Sequence, residues 1–89
     1  MKSDFKLAPS ILSADFSELG TALDSCSKGG AHWIHIDVMD NQFVPNLTIG
    51  PPVVKSLRSK TQKFLDVHMM VIHPEKLVEP FARAGADNI

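Results

Sequence analysis

Two short runs constrain this chain more than any other feature in it. Trp33-Ile34-His35-Ile36-Asp37-Val38-Met39-Asp40 and Phe64-Leu65-Asp66-Val67-His68-Met69-Met70-Val71 both alternate aliphatic with polar or thioether side chains. Successive side chains on an extended strand point to opposite faces, so a period of two is the signature of a β-strand. In the first run Ile34, Ile36 and Val38 share one face, and His35, Asp37 and Met39 share the other. In the second, Leu65, Val67, Met69 and Val71 oppose Asp66, His68 and Met70. A strand buried on both faces is normally apolar on both. The same exception made twice points to a polar interior.

Helical spacing fills the intervals between apolar segments that begin near Leu7, Trp33, Phe64 and Asp87. The first predicted helix starts around Ser17 as N-cap, carries Leu19, Ala22, Leu23 and Cys26 on one face, and stops at Gly29-Gly30. The second opens with Gly50-Pro51-Pro52, proline being tolerated in the first turn, and turns Val53, Val54 and Leu57 inward. Lys60 to Lys63 is a polar loop. The third starts at Pro74-Glu75, uses Leu77, Val78 and Phe81, and ends at Gly85; Pro80 inside its pattern is expected to bend it or to leave its first turn poorly bonded. Gly30-Ala31-His32-Trp33-Ile34 and Gly85-Ala86-Asp87-Asn88-Ile89 repeat one junction, a helix stop that feeds a strand.

Alternating strands and helices imply a parallel sheet covered by helices, either doubly wound or closed into a barrel. Each unit is roughly 23 to 31 residues, and eight of them make about 200 to 250, the size of a (β/α)8 barrel. The expected fold is therefore α/β, a TIM (β/α)8 barrel. Residues 1–89 are expected to form the N-terminal part of that single domain, three strand–helix units and the start of a fourth strand. Such a piece leaves two sheet edges and its inward side chains uncovered, so the chain is read as a fragment of a longer barrel.

Composition excludes several classes. A net charge of −1 with scattered Lys and Arg offers no basic face, so no nucleic-acid or membrane partner is expected. The apolar stretches fall far short of a membrane span. No signal or transit segment opens the sequence, and the single cysteine, Cys26, rules out a disulfide framework, so a cytoplasmic location is expected. Cys26 itself reads as a small core hydrophobe. The GxGxxG, GxxxxGK[ST], HExxH and GxSxG patterns are absent.

If the two alternating strands are neighbours, His35, Asp37 and His68 converge near their C-terminal ends, where barrel active sites lie. Two imidazoles and a carboxylate suit one divalent ion such as Zn²⁺, Fe²⁺, Mn²⁺ or Co²⁺. Each His taken singly is better read as a hydrogen-bonded core residue. Three such groups on adjoining inward rows favour a site, because a buried charge is costly without a partner. Ser10, on a face with Ala8 and Leu12, can hold a substrate oxygen or bond to nearby backbone. Met39 and Met70 follow the candidate ligands at two-residue spacing; core filling is the simpler reading, a soft roof over a planar intermediate the other. His32 reads as surface, and His73-Pro74 as a loop or the start of a helix.

The segments Leu7-Ala8-Pro9-Ser10-Ile11-Leu12, His35-Ile36-Asp37-Val38-Met39-Asp40, Phe43-Val44-Pro45-Asn46-Leu47-Thr48-Ile49-Gly50-Pro51 and Leu65-Asp66-Val67-His68-Met69-Met70-Val71 together resemble the ribulose-phosphate 3-epimerase family over essentially the whole chain. The resemblance implies a ribulose-phosphate-binding barrel that interconverts D-ribulose 5-phosphate and D-xylulose 5-phosphate in the pentose phosphate pathway. The reaction would use one divalent metal and pass through an enediolate. It implies that His35, Asp37 and His68 are three of four metal ligands and that Asp37 is one of two acid/base carboxylates. It also implies that Ser10, His35, Met39, His68 and Met70 contact substrate, and that the full-length protein is a homo-oligomer. Gln42 departs from the His or Arg common there, in a loop. The family's second Asp and its phosphate site have no counterpart within residues 1–89, so this stretch alone is expected to be inactive. A non-catalytic half-barrel and an epimerase for another ketose or ketose phosphate are the alternatives.

Overall fold

The computed structural model describes residues 5–89 and consists of a parallel sheet with helices on one side. Strands β1 (Trp33–Met39) and β2 (Phe64–Met70) pair in parallel, with Trp33 opposite Phe64 and Met39 opposite Met70. The alternation read from the sequence is realised. Ile34, Ile36 and Leu65 are fully buried and Val38 and Val67 nearly so, whereas their polar neighbours on both strands stay partly open. The buried row forms one cluster with Leu23 of α1 (Leu19–Lys28), Val54 and Leu57 of α2 (Pro51–Arg58) and Phe81 of α3 (Val78–Ala84). Each such aliphatic or aromatic side chain contributes about 1.5–3 kcal/mol through burial. That cluster holds the polar face of the sheet in place from behind. Among the described residues no helix is long and apolar enough to cross a membrane.

Both edges of the pair are flanked by extended chain. On the β1 side Leu7 O accepts from the amides of His32 and Trp33, Pro9 O accepts from His35, and Ser10 pairs with His35 in parallel. On the β2 side the amides of Asp87 and Asn88 donate to Leu65 O, and Asn88 O accepts from Val67, pairing Asn88 with Asp66 in parallel. Four segments therefore lie side by side in chain order.

Three local expectations are corrected. The first predicted strand does not continue to Leu12: Pro9 has no amide to donate, and Ser10 Oγ accepts the Leu12 amide to start a 3-10 turn over Ile11–Ser13. Leu12 therefore does not share a strand face with Ser10. The first helix is not capped by Ser17. Asp15 Oδ1 accepts both the amide and the hydroxyl of Ser17, capping a 3-10 turn at Phe16–Glu18 that leads into α1. The third helix is split into a 3-10 turn at Pro74–Lys76 and α3, separated at Leu77. Pro80 thereby falls in the first turn of α3, where a missing amide forfeits no intrahelical bond, so the proline sets the start of the helix rather than bending it. The Gly30 stop after α1 is as expected, with φ at 87°.

The junction after α3 is held by Arg58. Its guanidinium donates to the carbonyls of Gly85, Thr61 and Lys63 and to Asp87 Oδ2, while the other face of Asp87 Oδ2 receives the Leu65 amide. The amide of Leu65 does most to lower the Asp87 carboxyl; burial pushes it up, and the Arg58 guanidinium helps to outweigh that and hold it below its ordinary value. Gly85 adopts φ 120°, and a Cβ there would meet the Arg58 stem at 2.6 Å. Gly85→Ala is expected to destabilise the protein by at least about 2 kcal/mol in urea titrations. Because the Asp87 carboxyl titrates lower folded than unfolded, its contribution is present above about pH 4 and is lost as pH falls through the folded value. Asp87→Asn should therefore flatten the acid limb of a stability–pH curve, measured as urea midpoints below about pH 4.

Candidate metal centre

The polar face of the sheet carries an ordered line of side chains. Ser10, His35, Asp66 and Asn88 lie level with one another across the four segments, and Asp37 lies level with His68 one step further along. Asn88 Nδ2 donates to Asp66 Oδ1 at 2.7 Å, and Asp66 Oδ2 lies 2.9 Å from His35 Nδ1. His35 Nε2 is 3.1 Å from Asp37 Oδ1, and His68 Nδ1 approaches that same oxygen at 3.5 Å. The Ser10 hydroxyl donates to Asp37 Oδ2. At the start of the face the rings of Trp33 and Phe64 stack with centroids 4.3 Å apart, closing it on that side.

A carboxylate only accepts, so the bond between Asp66 and His35 places a proton on Nδ1. On a neutral ring that one proton leaves a lone pair on Nε2 facing Asp37 Oδ1, with His68 Nδ1 directed at the same oxygen, whereas a protonated ring would donate to both carboxylates. Three electron-rich atoms gathered in this way repel one another unless a cation or a further proton lies between them. One donor atom from each of His35, Asp37 and His68 lies within 4.8 Å of the others, a spacing at which a single ion can touch all three. Two imidazoles and a carboxylate, with a second carboxylate behind the first imidazole, fit a divalent transition metal.

The structure brings His35, Asp37 and His68 together. Asp37 and His35 are mostly buried and His68 is more than half exposed. Met39 and Met70 sit opposite each other in register, two residues beyond Asp37 and His68 on the same face, and both are partly buried. Of the two roles weighed for Ser10, the bond to nearby backbone is the one seen. Its oxygen accepts the Leu12 amide, and its proton is committed to Asp37 rather than directed into open space. His32 is exposed, with Nδ1 accepting the Leu7 amide, and His73 is exposed beside Glu75. Cys26 packs against the core.

Three residues matter here that the sequence pattern did not single out for a role. Asp66 was visible as an inward residue, but nothing in the alternation says which partner it takes. Burial raises its carboxyl, yet hydrogen bonds from Asn88 and His35, together with the nearby imidazoles, outweigh this and hold it below its ordinary value. Thr48 Oγ1 donates to the Asp37 carbonyl at 2.7 Å and accepts the Met39 amide at 3.0 Å, tying the returning loop to the end of β1. Asp40 uses Oδ1 for the amides of Gln42 and Phe43 and Oδ2 for the amide of Ile72, so one carboxylate joins the loops that follow β1 and β2. The slight burial of this group pushes its carboxyl up, and the three amides more than reverse that.

A parallel sheet whose polar face gathers two imidazoles and a carboxylate defines the chain as an α/β protein with a candidate metal centre. It belongs to the ribulose-phosphate 3-epimerase family, whose family model matches residues 6–89. The chain is 57% identical over 89 residues to the ribulose-phosphate 3-epimerase of Synechocystis sp., covering 100% of this chain and 39% of the relative. It is 58% identical over 87 residues to that of Treponema pallidum, covering 98% of this chain and 40% of the relative. With the Bacillus subtilis protein of the same name the identity is 56% over 82 residues, 92% of this chain and 38% of the relative. The chain thus spans about two-fifths of the length of the curated relatives it matches.

Thr48 provides a direct check on how the loop supports the site. Thr48→Val removes both of its bonds in a half-buried position and should lower stability by about 1–3 kcal/mol in chemical denaturation, whereas Thr48→Ser should retain most of the wild-type value.

Proposed function

We propose that residues 1–89 are the N-terminal contribution to a (β/α)8 barrel that interconverts D-ribulose 5-phosphate and D-xylulose 5-phosphate. The observation that carries this reading is the meeting of His35, Asp37 and His68 on the polar side of two adjacent parallel strands, within a chain of the epimerase family. His35, Asp37 and His68 would hold one divalent ion, Zn²⁺, Fe²⁺, Mn²⁺ or Co²⁺. That ion would supply positive charge where negative charge builds on the substrate oxygens.

The chain's own residues account for half of the proton traffic. Inverting a carbon next to a carbonyl requires a base that takes its proton from one face and an acid that returns one to the other. Asp37 is the carboxylate in position to do the first. Ser10, by donating to Oδ2, fixes the plane of that carboxylate and leaves Oδ1 as the atom directed toward the imidazoles. Met39 and Met70 cover the end of the polar face with soft, low-polarity surface suited to a planar substrate. Asp66 does not serve as the second acid, because both of its oxygens are engaged by His35 and Asn88. In this reading a second carboxylate on the far side of the substrate and a phosphate-binding loop come from the part of the relatives' length that this stretch does not span. Residues 1–89 assayed alone should accordingly show no epimerisation.

In the complete protein, His35→Ala or His68→Ala should reduce bound metal on elemental analysis and cut turnover severely. Asp37→Asn should lower kcat by roughly 10²–10⁴-fold. Wild-type metal content together with wild-type rates in both histidine variants would refute the site.

A further inference from the structure

We infer that Asp66 and Asn88 form a positioning pair that aims His35, presenting its Nε2 rather than its Nδ1 to the metal. This rests on the proposed metal role of His35. An imidazole can bind a metal through either nitrogen, and which one is available is decided by what the other bonds to. Here Nδ1 is 2.9 Å from Asp66 Oδ2, on the side away from Asp37 and His68, and Nε2 is the atom that faces them.

A lone carboxylate on a strand could rotate and release the ring. Asp66 does not have that freedom, because its other oxygen is held by Asn88 Nδ2 at 2.7 Å and its side chain is largely enclosed. The support therefore comes from three neighbouring segments, with Asn88, Asp66 and His35 side by side at one level of the sheet. Asn88 suits the outer place in the line for a simple reason. An amide can donate to Asp66 while adding no charge, whereas an acid there would repel it and a lysine would compete with His35 for its oxygens. With Nδ1 engaged by Asp66, Nε2 is the ring atom turned toward Asp37 and His68, where a cation would lie. Neither Asp66 nor Asn88 touches the candidate ion, and both act only through His35.

The test uses the metal-free complete protein titrated with Zn²⁺ alone against a competing chelator. Asp66→Ala should weaken Zn²⁺ binding about 10–100-fold. Asp66→Asn, which keeps an acceptor but loses its charge, should fall between that variant and wild type, and Asn88→Ala should show a smaller loss of the same sign. In nitrogen–proton NMR of the Zn²⁺-loaded wild type, His35 should show a protonated Nδ1 in slow exchange and a metal-shifted Nε2. A merely structural role for Asp66 would not determine which nitrogen carries the proton. If Asp66→Ala fails to fold, Asp66→Asn and the wild-type spectrum decide the matter. Zn²⁺ affinity within twofold of wild type in every folded Asp66 variant, or a His35 ligating through Nδ1, would overturn the inference. His35→Ala separates the two levels: retained Zn²⁺ affinity in that variant refutes the metal site itself. Lost affinity there with none lost in the Asp66 variants refutes only the positioning pair.

Discussion

An imidazole with a carboxylate on each of its ring nitrogens is the arrangement on which the rest of this molecule depends. His35 lies between Asp66 and Asp37, and neither distance can be kept unless β1 and β2 hold their register to the residue. A slip by one position would send His35 toward the helices and an isoleucine into the polar line. Register is secured from the opposite face, where Ile34, Ile36, Leu65 and Val67 are buried against Leu23, Val54, Leu57 and Phe81. The apolar layer gives cohesion and the polar layer gives chemistry, and the same two strands carry both.

The polar layer is a continuous line of side-chain contacts across four segments of chain. From Asn88 through Asp66, His35 and Asp37 to Ser10 each side chain engages the next, and among the described residues no buried side-chain nitrogen or oxygen lacks a hydrogen-bond partner. The line also shows why the flanking segments matter although neither forms a full strand beside its neighbour. Ser10 and Asn88 reach the site only because Leu7 to Pro9 and Asp87 to Asn88 are bonded along the outer edges of β1 and β2. Arg58 contributes at a distance, since its contacts with Gly85 and Asp87 bring the chain leaving α3 back to the edge of β2.

Much of this was legible in the sequence, for a physical reason. Burial selects side chains strictly by face, so a period of two that persists through seven residues reports orientation directly, and the grouping of His35, Asp37 and His68 follows from it. The glycine stop at Gly30 was legible because few other residues tolerate a positive φ, and the proline start at Pro51 because proline fits the first turn of a helix and not its interior. What could not be read was pairing. Asp66 shows the same inward pattern as His68, and only coordinates reveal that one turns to the ring of His35 and the other to the oxygen of Asp37. Local capping was misread: Ser17 was expected to cap the first helix, and it is Asp15 that accepts the Ser17 amide and caps the turn before it. Pro80 was recognised as a disturbance, but not that the helix would begin again two residues before it to accommodate it.

The Asp40 carboxylate has a broader consequence. By receiving amides from Gln42 and Phe43 on one oxygen and from Ile72 on the other, it makes a single mechanical unit of two connections that belong to different strand–helix units. Insertions or deletions in either connection would have to preserve the reach of that one side chain. The rim above Met39 and Met70 is thus free to vary in the identity of its residues, and much less free to vary in length.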